Sequence, residues 1–261
     1  MNESEIQTLS GMLAEAAKNA KPVGPLTEKF PDMTIADAYA VQMTVVKDRL
    51  AKGGAIVGKK VGLTSRAMQE MLGVSTPDFG HLLADMLFAE DVPVPVSAFL
   101  QPKIEAELAF ILAEDILGPG VTLVDILRAT LAVVPAFEII DSRIADWKIR
   151  IQDTIADNGS SGGFVVGSKL VPVDAVNLKY AGLVLEKNGV VVDTAAGAAV
   201  LGHPAQSVAW LANTLGAMGI PLKKGEIVLS GSFTKAYPVA GGDVFTATFG
   251  GLGSVSASFG A

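Results

Sequence analysis

Glu105 and Glu107 stand two residues apart in KIEAELAFIL (103–112). The stretch is rich in strand-forming residues, and residues i and i+2 of a strand point to one face. The two carboxylates are then neighbours, about 7 Å apart at their Cα atoms. The opposite face carries Ile104, Ala106, Leu108 and Phe110, a core pattern. Like charges side by side repel unless water, a shared proton or a cation relieves them. One reading is a solvent-facing strip. Against it, the acidic face continues with Ala109 and Ile111, so it does not stay polar.

Glu138 adds weight to the cation. It is the one charged residue in LAVVPAFEII (131–140), and a lone carboxylate in an apolar strand is costly without a partner. An ion pair with a nearby base such as Arg143 would also satisfy it. Three carboxylates, no cysteine and only two histidines suit a hard divalent cation, Mg²⁺ or Mn²⁺, with positions left open for a chelating ligand.

Other groups are candidates by position. Lys60 closes an apolar strand in GKKVGLTS (58–65); pointing inward, it could meet a carboxylate near the cation, and pointing outward it would snorkel, as Lys59 is expected to do. Asp78 sits in the turn-rich TPDFG (76–80), where Asp is commonly structural. ADNGSSGG (156–163) offers backbone amides and the Ser160 hydroxyl to an anion, or is a plain loop. His203, in LGHP, reads as a helix start. No G-x-S-x-G elbow occurs, and GGLGS (250–254) lacks the βαβ context of a dinucleotide loop.

The elements that must position these groups are legible in outline. Ile6, Leu9, Met12, Leu13 and Ala16 recur at helical spacing. Thr34 followed by Asp37 starts a second helix that stops at Gly53-Gly54. A strand over 55–63 and a short helix over 65–72 follow. Beyond them come strands at 103–112 and 133–140, with a helix starting at Thr122 between them. Asn188-Gly189 between apolar runs predicts a two-residue hairpin. A helix over 203–218 and three closing strands complete the chain. Helices first and then a mixed β region indicate an α+β fold: a helical N-terminal region over 1–90 and a β-rich catalytic domain over 91–261.

Composition narrows the function classes. The 261 residues carry 20 Lys and Arg against 27 Asp and Glu, net −7, which disfavours nucleic acid and an anionic membrane surface as partners. The absence of cysteine excludes disulfides and thiol nucleophiles. No apolar run is long enough to span a bilayer and no signal peptide is visible, so a cytoplasmic protein is expected.

Taken in order, GKKVGLTS, TPDFG, PKIEAELAFIL, PAFEIIDSRIADWKI, DTIADNGSSG, GAAVLGHPAQSVAWLAN and LGSVSASF resemble the 2-hydroxypenta-2,4-dienoate (2-oxopent-4-enoate) hydratases of meta-cleavage pathways for aromatic compounds. The wider group includes 4-oxalocrotonate decarboxylases and hydratases of longer substrates, all with a fumarylacetoacetate hydrolase-like fold. The resemblance covers residue 34 to the C-terminus. It implies a mixed β-sandwich roll, Mg²⁺ or Mn²⁺ on Glu105, Glu107 and Glu138, catalytic Lys60 and Asp78, and substrate-binding Ser160. It implies a hydro-lyase adding water to give 4-hydroxy-2-oxopentanoate. The alternatives are a decarboxylase of 2-oxohex-3-enedioate, a hydratase of a longer 2-oxo-enoate or diacid, and a non-catalytic partner subunit of a hydratase–decarboxylase complex. It also implies a homo-oligomer, a decamer of two pentamers, able to complex with a related decarboxylase or a downstream aldolase. Gly159 departs from the family pattern, which has Ala there; a looser loop is expected.

Overall fold

A computed structural model describes residues 1–65, 69–70 and 73–260. Three helices come first: α1 (Glu3–Lys18), α2 (Leu26–Lys29) and α3 (Ile35–Ala51). Asn2 with Glu5, and Thr34 with Asp37, form reciprocal capping boxes that satisfy orphan amides at the starts of α1 and α3. Leu9 and Leu13 of α1, Leu26 of α2 and Val41 of α3 build a small core with Ile144 and Ile155. The short helix expected over 65–72 falls largely outside the described residues.

The strands are β1 (Ile56–Gly62), β2 (Asp78–Leu83), β3 (Leu87–Phe88), β4 (Val94–Pro95), β5 (Lys103–Leu112), β6 (Thr130–Ile140), β7 (Ser161–Val166), β8 (Gly182–Lys187), β9 (Val190–Ala196), β10 (Ile227–Leu229), β11 (Tyr237–Pro238), β12 (Val244–Phe249) and β13 (Gly253–Gly260). Between them lie α4 (Leu123–Ala129), α5 (Ile151–Ala156) and α6 (Pro204–Gly216). One sheet of eight strands runs β2-β1-β10-β5-β6-β7-β3, with β11 also paired to β5. A second, of five, runs β4-β13-β12-β8-β9. β1–β10, β3–β7 and β4–β13 are parallel and the other pairs antiparallel.

The two sheets pack face to face, β12 and β13 against β6, in the expected α+β roll. Leu108, Phe110, Phe137, Phe245, Phe249 and Val255 fill the space between them, all essentially sealed from water. Burying each such side chain stabilises the fold by about 1.5–3 kcal/mol. The other face of the large sheet carries Ala109, Val134, Phe164 and Leu229 against Leu82 and Met86. The Asn188-Gly189 turn has φ of 54° and 75°, the left-handed pair that a two-residue hairpin requires. The three N-terminal helices end at Ala51, and β1, β2 and β3 belong to the eight-stranded sheet.

Candidate active site

β5 and β6 pair in a register that sets Glu105 directly opposite Glu138. Like charges directly opposite destabilise a sheet. Glu107, one step along the same face, completes the group: each of the three carboxylates offers an oxygen within 4.8 Å of the others. Glu107 and Glu138 are fully buried. Gly231 donates its backbone N–H to Glu107 Oε2 at 2.7 Å, but Glu107 Oε1 and both Glu138 oxygens have no hydrogen-bond donor. Arg143 does not answer Glu138; it pairs with Asp157 instead.

Lys60 does point inward. It is buried, with Nζ 3.5 Å from Glu138 Oε1. β1 and β2 pair Gly62 with Asp78, and a Cβ at Gly62 would run into Asp78 Oδ1, so glycine there admits the carboxylate toward Lys60. Asp78 Oδ1 is buried without a donor. Thr154 and Ser160 share a hydroxyl–hydroxyl contact of 3.1 Å on the opposite wall. All six residues singled out in the sequence therefore converge, with Lys60, Asp78, Glu105 and Ser160 lining one cavity of about 250 Å³.

The electrostatics follow from this crowding. Burial, with Glu138 beside it, lifts Glu105 to about 7. Burial raises Glu107 well above the carboxylate range, reinforced by Glu138 and Glu105. Glu138 and Asp78 are also raised by burial, with Lys60 pulling back. Burial opposes the charge on Lys60, but Glu138, Asp78, Glu105 and Glu107 outweigh it and raise its pKa. Unmet acceptors, raised pKa values and oxygen-only donors fit a hard divalent cation.

The loop bearing Ser160 is built with care. Asn158, Gly159 and Ser160 all take positive φ, 57°, 61° and 54°. Asn158 clamps β2 in both directions, accepting from His81 N at 2.8 Å and donating to His81 O at 2.9 Å. Asp157 accepts from Arg143 N at 2.8 Å and pairs with its guanidinium. Gln42 of α3 donates to Phe79 O at 3.0 Å and Ile155 O at 2.8 Å, tying the strand of Asp78 to the helix before Ser160. The loop is thus not loose at Gly159, whose Cβ position lies 2.7 Å from Lys60 Cε. Lys59, expected at the surface, is buried in an ion pair with Glu226 at 2.6 Å, because its side chain leaves β1 on the face opposite Lys60. His203 caps α6, its Nδ1 accepting from Ala205 N. Sequence reasoning did not single out Lys103, Trp147 and Lys235, which also line the cavity. Strand alternation from Glu105 would have found Lys103; nothing local marks the other two.

The sequence profile of the fumarylacetoacetate (FAA) hydrolase C-terminal family matches residues 55–259, and the chain belongs to that family. Within it, the chain is 46% identical to a 2-hydroxyhexa-2,4-dienoate hydratase of Comamonas testosteroni, over 97% of each chain. It is 43% identical to a 2-keto-4-pentenoate hydratase of Paraburkholderia xenovorans (strain LB400), over 99% of this chain and 96% of that one. The solved structure of 4-oxalocrotonate decarboxylase from Pseudomonas putida G7, complexed with magnesium and adipate, superposes with a TM-score of 0.96 at 41% identity, covering 99% and 98% of the two chains. Among the described residues no helix is long and apolar enough to cross a membrane.

Proposed function

We propose that this chain is a divalent-metal-dependent hydratase that adds water to 2-hydroxypenta-2,4-dienoate, giving 4-hydroxy-2-oxopentanoate in the meta-cleavage breakdown of aromatic compounds. The observation that carries the reading is the Glu105, Glu107 and Glu138 cluster, buried with acceptors unmet beside a buried lysine. The similarity to two hydratases of short dienoates supports the substrate class.

Glu105, Glu107 and Glu138 would hold Mg²⁺ or Mn²⁺. A cation there supplies Lewis-acid withdrawal of electrons from the 2-oxygen of the substrate. Lys60 orients the substrate carboxylate through its ammonium. Asp78, whose burial favours the protonated acid, delivers a proton to C5 while the 2-hydroxyl releases its own to solvent, leaving a 2-oxo-3-enoate. The Asp78 carboxylate then takes a proton from water as the oxygen bonds to C4, and C3 takes up a proton from solvent in place of the one the 2-hydroxyl released. The Ser160 hydroxyl, fixed by Thr154, orients the ligand. In the cell we place the enzyme in the cytoplasm as a homo-oligomer, with the decamer and a complex with a decarboxylase or aldolase as its expected assemblies.

A decarboxylase with nearly the same backbone makes loss of CO₂ the second reading. A paired assay separates the two. With Mg²⁺, the dienoate absorbance should decay and 4-hydroxy-2-oxopentanoate accumulate, excess chelator should stop the decay, and 2-oxohex-3-enedioate should release no CO₂. CO₂ release without hydration would replace hydratase by decarboxylase.

A further inference from the structure

Glu107 is held by a peptide group whose other end is held from outside the cavity. β10 pairs with β5 as far as Leu229 opposite Ala109, and Ser230 N still donates to Leu108 O at 3.0 Å. The ladder then breaks. Gly231 turns its N–H from the β5 backbone to the side chain of Glu107, donating to Oε2 at 2.7 Å. Phe233 N rejoins the strand at Ala106 O, 3.0 Å away. Regular pairing would have brought residue 232 to that carbonyl, so one residue is extra opposite Glu107. Such a bulge re-aims a group beside an active site. Gly231 takes φ of 102°, and a Cβ there would run into Thr64 Oγ1, so the bend calls for glycine. The result fixes Glu107 Oε2 and leaves Oε1 bare.

The carbonyl of that same peptide is Ser230 O, and it accepts from Ser207 Oγ at 2.6 Å. Ser207 lies in the first turn of α6, sealed from water and outside the cavity lining. Its buried neighbours along the helix are Ala205, Val208, Ala209, Leu211 and Ala212, so a hydroxyl breaks the pattern there. A helical serine commonly back-bonds to a carbonyl one turn earlier, and Ser207 Oγ does lie 2.7 Å from Pro204 O. That bond alone does not account for the approach to Ser230 O, because two oxygens come so close only with a proton between them. The hydroxyl proton is shared between the two carbonyls in a three-centre bond. A peptide that accepts at its oxygen donates more strongly at its N–H, since hydrogen bonds in a chain polarise one another. Thr64, whose O accepts from Leu201 N at 3.1 Å just ahead of α6, closes the other side of Gly231. We propose that Ser207 is a positioning residue for the carboxylate cluster: through the Ser230–Gly231 peptide it sets the orientation of Glu107, and with it the affinity for a divalent cation. The inference rests on the reading of Glu105, Glu107 and Glu138 as metal ligands.

The test is titration calorimetry of Mn²⁺ alone into the full-length, chelator-treated protein and into Ser207→Ala, Ser207→Cys and Ser207→Thr. Ser207→Ala should raise Kd for Mn²⁺ about tenfold, the lower end of what losing a group behind a metal ligand costs. Ser207→Cys, similar in size but a weak donor, should move Kd the same way, and Ser207→Thr, which keeps the hydroxyl, should retain it. Hydration of the dienoate followed against Mn²⁺ concentration should show the same shift in half-saturating metal, with kcat at saturation retained. Urea unfolding without metal reads the packing cost of each variant separately. A merely structural serine would lower that stability and leave Kd of the folded protein unchanged. Should Ser207→Ala fail to fold, Ser207→Cys against Ser207→Thr makes the same comparison. A Kd indifferent to the loss of the hydroxyl would overturn the proposal and leave the metal site intact. A Kd raised equally by Ser207→Thr would also overturn it, by assigning the effect to packing. No Mn²⁺ binding by the unaltered protein would overturn the metal reading together with it.

Discussion

The protein buries carboxylates in two neighbouring regions and treats them in opposite ways. Around the helices, the buried acids among the described residues are answered. Asp153 accepts from Thr27 N, Thr27 Oγ1 and Arg150 N at 3.0, 2.8 and 2.8 Å. Asp141 accepts from Leu100 N and Gln101 N, and Asp157 has Arg143. On β5 and β6, Glu138 has only the Lys60 ammonium, 3.5 Å from one oxygen and beyond a good hydrogen bond, and Glu107 keeps one oxygen bare. Burial alone therefore does not mark a working acid. An unmet acceptor in a cluster of like charge does, because a sheet tolerates that cost only where something else is to be held.

Substitutions on the two sides should dissociate activity from stability. Glu107→Gln should cut kcat about a thousandfold or more, the scale of several kcal/mol of lost charge stabilisation. Gly231 can still donate to the amide oxygen, and a repelling charge is gone, so urea unfolding without metal at pH 8 should give a stability at or above that of the unaltered protein. Excess Mg²⁺ should stabilise the unaltered protein, by about 2.7 kcal/mol at a hundred times Kd, and fail to do so for the variant. Asp157→Asn should do the reverse. It breaks a buried pair and should cost about 3–5 kcal/mol by urea unfolding, while folded protein retains metal-linked stabilisation. A Glu107→Gln enzyme with full activity, or an Asp157→Asn protein as stable as its parent, would erase the distinction.

A pH series sharpens the contrast at β2, which lies between the two regions. His81 is held down to about 4 by burial, then by the Lys59 charge beside it, and its buried Nδ1 has no partner. The unfolded chain takes up this proton near 6.5 and the folded chain only near 4, so unfolding gains ground as pH falls through that window. The contribution, up to roughly 3 kcal/mol, is complete above 6.5, and roughly 2 kcal/mol of it is gone by pH 5. Asp157, raised to about 6 chiefly by burial, acts with the opposite sign because the folded chain holds its proton more tightly. Unfolding free energies at pH 7.5 and 5 should therefore differ less, in the direction of acid loss, for His81→Gln than for the unaltered protein. Equal losses in both would remove His81 from the account.

Much of this contrast was open to a reader of the sequence. Strand alternation placed Glu105 and Glu107 on one face, and the isolation of Glu138 in an apolar run marked it as needing a partner. Capping residues at Thr34 and Thr122 and the Asn188-Gly189 turn located their elements because these signals are local. What stayed hidden depends on pairing between distant segments. The register that sets Glu105 opposite Glu138 joins strands separated by α4. The burial of Lys59 depends on Glu226, and the choice of Asp157 over Glu138 as the partner of Arg143 depends on a loop after α5. Lys235 and Trp147 reach the cavity from segments whose local pattern says nothing of it.

Gly159 offers the finest division between the two regions, since its loop joins the answered acids to the unanswered ones. Its φ of 61° costs a residue with a Cβ about 1–2 kcal/mol. The added methyl would also lie 2.7 Å from Lys60 Cε, the far part of a flexible side chain. Lys60 can yield by a small shift, whereas Asn158 on β2 and Arg143 on Asp157 hold the backbone in place. Gly159→Ala should then lower stability by about 1 kcal/mol. Because Lys60 moves relative to Glu138 and Asp78, it should also raise KM more than it lowers kcat. A Gly159→Ala enzyme with lower kcat, unchanged KM and unchanged stability would mean that the loop, rather than the lysine, yields to the methyl, and that Lys60 is held more firmly than the backbone around Ser160.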